Sequence, residues 1–364
     1  MSLPRLRTVL DDLAAYQPSE GVYASARRLH PRPRPLSANE SPHDPVPGVT
    51  EAIADAGATI NRYPDPGCGA LTRALARTHE IAEDRFAVGA GSVALLQALL
   101  QSVGEPGAEV VYAWPSFELY PALADLAGVA SVRVPLADDA HDLPAMADRI
   151  TPRTRLVIVC NPNNPTGTAV GRDDLAGFLS RVPPTCLVAL DEAYYEYVRA
   201  PDVSTGLDFC AAHPNLVVLR TFSKAYGLAG LRTGYLMGDA RVVGRLRKAC
   251  LPYAVNTVAQ RAAVAALELR AELLRQVDAT VAERTRVHRA LVHGGWEVPA
   301  SEANFLWLRL GANAVAFGRW CTDHGIAVRT FPDQGVRVSI GSAEDNDGFL
   351  AAAAEWRTRT AADA

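Results

Sequence analysis

The chain has 364 residues, 49% hydrophobic and 21% charged, and carries a net charge of −4. This length supports about two domains with a sizeable core, and the acidic balance excludes a basic nucleic-acid-binding face. No apolar run reaches the roughly 18 residues of a membrane span, and residues 1–20, with Asp11 and Asp12, lack the apolar centre of a signal peptide. A cytoplasmic protein is expected. The six cysteines (68, 160, 186, 210, 250, 321) form no Cys-x-x-Cys pair and no Cys/His cluster, so no metal site is expected.

Taken in chain order, residues 1–38 read as an N-terminal arm, because Pro31-Arg32-Pro33-Arg34-Pro35 cannot be helical. From about 86 the pattern alternates strand and helix. Short apolar runs at 109–113, 155–160, 186–191 and 216–220 are separated by helical segments at 92–103, 116–127 and 171–181, and 233–238 adds a further strand. Near-continuous apolar strands alternating with helices predict an α/β domain with a mainly parallel sheet covered on both faces. Residues 256–292 predict a long helical stretch. After it come strands at 304–309, 326–329 and 335–340, a helix at 313–324 and a final helix from 343, which together predict a smaller α+β domain. The expected division is an arm (1–38) packing with the small domain, a large domain (39–252) and a small domain (253–364).

Lys224 and Lys248 are the only lysines among the 36 Lys and Arg residues. A chain that uses Arg wherever charge alone is needed, yet keeps a lysine in Ser223-Lys224-Ala225-Tyr226-Gly227, suggests a task for an amine. An amine can lose its proton and attack a carbonyl, which a guanidinium cannot. Codon bias with one accidental survivor is the plain alternative, so the neighbouring motifs must decide.

Ligands of open parallel sheets bind beyond the carboxyl ends of the strands. Four unusual sequences fall there. Val88-Gly89-Ala90-Gly91-Ser92 precedes a helix, where small residues and free N–H groups suit an anion, or simply a capped turn. Asn161-Pro162-Asn163-Asn164-Pro165-Thr166-Gly167 is a turn constrained by two prolines, from which Asn164 could bond a ligand oxygen. Asp191-Glu192-Ala193-Tyr194 closes the most apolar strand; a carboxylate there needs a partner, for which a protonated ring nitrogen or the next segment's N–H groups would serve. Thr221 to Arg232 combines hydroxyls at Thr221 and Ser223, the amine of Lys224 and the planar fork of Arg232, suited to phosphate. Together they specify an aldehyde carrying a phosphate and a basic ring nitrogen: pyridoxal 5′-phosphate, held through a Schiff-base lysine with an Asp partner.

These motifs resemble fold-type I aminotransferases of the histidinol-phosphate aminotransferase family, from Leu36-Ser-Ala-Asn39-Glu40-Ser-Pro42 to Gly335-Val-Arg337-Val-Ser-Ile-Gly341. Trp114-Pro-Ser-Phe117-Glu-Leu-Tyr120 and Arg220 to Arg232 look most like the actinobacterial aromatic amino acid aminotransferase branch. The resemblance implies a large domain with a mainly parallel seven-stranded sheet, and a homodimer with shared active sites. It implies that Lys224 carries the cofactor and shuttles a proton, that Asp191 pairs with the ring nitrogen, and that Asn164 and Tyr194 bond its phenolic oxygen. Phe117 would stack on the ring; Gly91, Ser92, Val93, Thr221, Ser223 and Arg232 would surround the phosphate. Family members often have Asp or Asn where Val93 stands, so Val93 offers only its backbone. Tyr63 would reach the phosphate of the partner subunit. Arg337 would bind a substrate carboxylate, Arg329 a second anion, and Tyr23 would lie on the arm near substrate.

The expected activity is transfer of the amino group of an aromatic L-amino acid to a 2-oxo acid such as 2-oxoglutarate. Alternatives on the same fold are a histidinol-phosphate aminotransferase, a pathway-specific aminotransferase and an amino-acid-phosphate decarboxylase. A catalytically silent binding protein is the reading from another class, against which the intact set of Lys224, Asp191, Asn164 and Arg232 argues.

Overall fold

A computed structural model describes residues 6–13, 24–28, 30 and 32–362. Strand β1 (Arg34–Pro35) precedes a large sheet formed by β2 (Phe86–Gly89), β3 (Glu109–Trp114), β4 (Ala130–Pro135), β5 (Thr154–Cys160), β6 (Leu187–Asp191), β7 (Leu216–Thr221) and β8 (Gly234–Gly238). Its seven strands run in the order β2-β8-β7-β6-β5-β3-β4, and β8 alone runs opposite to the other six. Leu156 to Val159, Val188 to Leu190 and Leu216 to Leu219 are buried, as strands covered on both faces require. The edge strand β4 buries only Val134, and its remaining side chains are partly or fully exposed.

Two core clusters fill the two faces of this sheet, one around Val157, Val188, Phe222 and Tyr235, the other around Leu99, Tyr112, Ile158 and Leu219. The helical stretch expected over 256–292 is two helices, Thr257–Glu268 and Arg270–His293, that meet at Leu269. The first of them packs Ala259, Ala262, Ala263 and Ala266 into the core of the large sheet. These small residues let it approach helix Pro47–Gly57 closely.

The C-terminal part contains β9 (Phe305–Arg309), β10 (Ile326–Ala327), β11 (Arg329–Phe331) and β12 (Gly335–Ser339). Strands β11, β12 and β9 form an antiparallel sheet, while β10 pairs in parallel with β1. Leu36, just after β1, is fully buried in the cluster formed by Leu306, Phe317, Val336 and Phe349, which ties the chain entering the large unit to the C-terminal sheet.

This topology positions the site. Strands β3, β5, β6 and β7 are parallel, so Trp114, Cys160, Asp191 and Thr221 end on one side of the sheet. Antiparallel β8 begins on that side and β2 finishes there, with Thr221, Gly234 and Gly89 aligned across three strands. Gly234 is a packing requirement: a Cβ there would stand 2.5 Å from the Ser92 backbone nitrogen and 2.8 Å from the Gly91 carbonyl carbon.

Candidate active site

The segments leaving these strand ends enclose a cavity of about 370 Å³. Lys224, Asp191, Tyr194, Asn164, Phe117, Ser92, Val93, Thr221, Ser223, Arg232, Arg329 and Arg337 line it, so most of the residues singled out above meet in one place. Gly91 stands behind it: a Cβ there would lie 2.6 Å from Nη2 of Arg232. Tyr63 does not line the cavity; it is 85% exposed, with its ring 5.0 Å from that of Tyr253. Tyr23 lies outside the described residues.

Lys224 Nζ donates to the carbonyl oxygen of Ala38 at 3.0 Å. Burial, followed by the charge of Arg337 and then Arg232, outweighs the opposing charge of Glu40 and brings this amine down to about 7. The larger cationic contribution therefore comes from Arg337 on β12, not from Arg232, its neighbour in sequence. An amine that is half neutral at pH 7 can act as nucleophile and base, which an ordinary lysine cannot.

Asp191 lies at the end of β6, 6% exposed. Its Oδ2 accepts a hydrogen bond from Tyr120 Oη at 2.8 Å, whereas Oδ1 is buried with no hydrogen-bond partner among the described residues. Burial raises this carboxyl to about 6, against the lowering effect of Tyr120. A buried, half-satisfied carboxylate facing a cavity is costly unless a ligand supplies a proton donor or positive charge.

Of the three asparagines in the Asn161–Gly167 turn, only Asn164 faces the cavity. Asn161 clasps Val170, donating through Nδ2 to its carbonyl and accepting its N–H. Asn163 Oδ1 accepts from Ser116 Oγ at 2.8 Å and from His141 Nε2 at 3.1 Å, while its Nδ2 donates to Thr166 Oγ1 and the Pro115 carbonyl. His141 is buried and its imidazole is pushed down to about 4, so it is neutral and carries its proton on Nε2 for this bond. The turn bearing Asn164 is thus tied directly to the segment bearing Phe117.

Arg232 Nη1 donates to Ser223 Oγ at 3.1 Å and to the Ala229 carbonyl. Its guanidinium lies against Gly91, at the N-terminus of helix Ser92–Val103, whose first N–H groups have no partner within the helix. From β12, Arg337 Nη1 donates to Asn164 Oδ1 at 2.5 Å and Nη2 to the Ser37 carbonyl at 2.6 Å. Arg329, directly opposite Arg337 in the β11–β12 register, donates from Nε and Nη2 to the two oxygens of Glu118, at 3.1 and 2.7 Å.

The family model for aminotransferase class I and II matches residues 34–352. The chain belongs to this family. It is 54% identical over 356 residues to the aromatic amino acid aminotransferase of Thermobifida fusca (strain YX), covering 98% of each chain. It is 48% identical over 355 residues to the aromatic amino acid aminotransferase of Streptomyces coelicolor, covering 97% of this chain and 98% of that one. The crystal structure of histidinol-phosphate aminotransferase from Sinorhizobium meliloti, in complex with pyridoxal-5′-phosphate, superimposes with a TM-score of 0.88 at 29% identity, covering 97% of this chain and 98% of that one.

Membership of the class I and II aminotransferases implies pyridoxal phosphate, and the residues fit it. The orphan Oδ1 of Asp191 answers a ring N–H, the guanidinium of Arg232 with the helix start at Ser92 answers a phosphate, and Lys224 offers its amine in the same cavity. Sequence reasoning gave no role to Tyr120 or Asn39. Tyr120 orients Asp191; Asn39 Nδ2 donates to Tyr194 Oη at 3.0 Å and its Oδ1 accepts from Ser339 Oγ. Tyr120 follows Phe117 by three residues, a spacing that would have placed both near one face of a helix start. Nothing local distinguishes Asn39, whose partners lie 155 and 300 residues away.

Proposed function

We propose that the protein is a pyridoxal-phosphate-dependent aminotransferase that moves the amino group of an aromatic L-amino acid to a 2-oxo acid such as 2-oxoglutarate. The observation that carries this reading is the lowered amine of Lys224 sharing one cavity with the unpartnered buried oxygen of Asp191. The aromatic donor is supported by the names of the relatives at 48–54% identity and by the cavity wall of Phe117, Leu119 and Tyr194.

When bound, pyridoxal phosphate supplies a carbonyl that takes up the amino group and a ring that withdraws electrons from Cα. Asp191 would hold the ring nitrogen protonated, with Tyr120 keeping that carboxylate ionised and oriented. Phe117 would pack against the ring, and Asn164 and Tyr194 would bond its phenolic oxygen. Ser92, Thr221, Ser223 and Arg232 would hold the phosphate, with backbone N–H groups at Gly91 to Val93. Arg337 would take the donor's α-carboxylate. Lys224, neutral in this setting, would take the Cα proton and hold it for return.

A homodimer belongs to the same proposal. Tyr63 and Tyr253 form an exposed aromatic pair, and Ile60 and Leu251 are also exposed, as a partner-facing surface would be. In a shared site Tyr63 would serve the partner's phosphate, so mixing Tyr63→Ala and Lys224→Ala subunits should restore activity that neither variant has.

The deciding experiment measures initial rates with phenylalanine, tyrosine, histidinol phosphate and threonine phosphate, each with 2-oxoglutarate, alongside borohydride reduction and peptide mapping. Transamination fastest with phenylalanine or tyrosine, with the pyridoxyl mass on Lys224, is expected. A faster rate with histidinol phosphate overturns the donor; release of carbon dioxide overturns the reaction; a pyridoxyl mass on Lys248 alone, or nowhere, overturns the cofactor site.

A further inference from the structure

Two arginines, Arg329 and Arg337, stand directly opposite each other on β11 and β12, and both line the cavity. Like charges paired across an antiparallel ladder repel unless each finds compensation. Arg337 donates to two neutral acceptors, Asn164 Oδ1 and the Ser37 carbonyl. Arg329 meets a carboxylate instead: both Glu118 oxygens accept from its fork, in the two-point geometry that matches guanidinium to carboxylate. Glu118 comes from the segment after β3. It stands between Phe117 and Leu119, which also line the cavity, at the start of helix Leu119–Ala127, where free N–H groups favour a negative charge.

We infer that Glu118 is a specificity-determining residue: by neutralising Arg329 it leaves the stretch of the site between Arg329, Phe117 and Leu119 without net charge, so that the enzyme accepts aromatic side chains and turns away donors with an anionic side chain such as a phosphate monoester. This rests on the transaminase reading and adds a cause for its donor range. A phosphate approaching Arg329 must displace a carboxylate already bonded at two points, or lie beside it and be repelled. An uncharged ring meets Phe117 and Leu119 and disturbs no ion pair. The same pair joins the segment after β3 to β11, so a purely mechanical role, holding the two walls together, is the competing account. It predicts equal effects on every donor.

The test compares wild-type holoenzyme with Glu118→Gln, Glu118→Ala and the double variant Glu118→Gln/Arg329→Gln. The readout is the ratio of kcat/KM for histidinol phosphate to kcat/KM for phenylalanine. Glu118→Gln and Glu118→Ala should raise this ratio at least tenfold, chiefly through a lower KM for the phosphate donor. The double variant should return it to within about threefold of wild type, because the gain needs the released arginine. Calorimetric titration of each holoenzyme with inorganic phosphate reads the same site without turnover, and should show at least tenfold tighter binding in the single variants only. A ratio and a phosphate affinity unmoved by loss of Glu118, parallel changes for both donors, or a gain that survives loss of Arg329 each overturn the inference. A wild-type enzyme inactive with every donor would instead sink the transaminase reading, and the phosphate titration would still decide whether Glu118 masks Arg329.

Discussion

Tyr120 donates its phenolic hydrogen to Oδ2 of Asp191 at 2.8 Å and leaves Oδ1 buried and bare. One residue thus fixes the carboxylate while the other keeps an acceptor in reserve. In the cofactor-free protein that reserve costs stability; in the proposed loaded protein it would be used.

The first prediction follows from the sign of that cost. Burial holds the folded Asp191 carboxyl up at about 6. The unfolded chain loses that proton near its ordinary value of about 4, so between these values the folded state binds more protons and stability falls as pH rises. The cofactor-free protein should lose on the order of 2–3 kcal/mol from this group between about pH 4 and 6. Asp191→Asn should remove that dependence, so that above pH 6 the cofactor-free variant is the more stable by urea denaturation, while its cofactor Kd rises at least a hundredfold. A cofactor-free variant less stable than wild type at pH 7.5 would contradict this. Tyr120→Phe should move the Asp191 midpoint upward.

Lys224 gives a cleaner titration, since only one other lysine exists in the chain. Reductive methylation of the cofactor-free protein with labelled formaldehyde should show a Lys224 midpoint at about 7. Arg337→Gln removes the larger of the two cationic influences, so the midpoint should rise. The unfolded chain keeps this proton up to about 10.4, so the group's contribution to stability grows with pH between about 7 and 10 and is constant below 7. A midpoint above 9 in the wild type would show that Lys224 is not buried among cations as described.

Gly91 tests the phosphate cradle. Its φ of +82° and ψ of 163° lie in a region open essentially to glycine alone, and a Cβ would press on Arg232. Gly91→Ala should cost about 1–3 kcal/mol through backbone strain and, by displacing the guanidinium, raise the cofactor Kd at least tenfold. Unchanged cofactor retention after dialysis would remove Arg232 from the phosphate site.

Glu192 tests what supports the strand that delivers Lys224. Its carboxylate accepts from Arg220 at 2.9 and 2.7 Å and from the Gly206 N–H at 2.6 Å, with both charged side chains buried. Glu192→Gln leaves a buried guanidinium short of countercharge, with Glu196 at 4.0 Å as what remains. Breaking such a pair costs about 3–5 kcal/mol, so urea unfolding should shift by that order. The double change Glu192→Leu/Arg220→Met should cost less than Glu192→Gln alone; the reverse order would mean that the pair is worth more than its desolvation cost.

Much of the site was legible in the chain because its chemistry is concentrated in contiguous motifs at strand ends. A parallel βαβ arrangement must bring such ends to one side of its sheet. Asp191 closing an apolar run and Lys224 among hydroxyls and small residues could therefore be read locally, as could the alternation that predicts the sheet. Long-range partners could not. Glu118 and Arg329 are 211 positions apart, and a two-point ion pair between them depends on how β11 faces the turn after β3. The break at Leu269 was equally hidden, because no Gly or Pro interrupts residues 256–292.

The sequence by itself determined the order of strands and helices, the residues able to bear the chemistry, and which of them must lie at strand ends, because backbone periodicity and side-chain reactivity are local properties. Only the tertiary structure decided which amide of the asparagine turn faces the cavity, which arginine lowers the Lys224 amine more, and which one is masked by a carboxylate, because charge interactions and hydrogen bonds depend on distances through space that no spacing along the chain records.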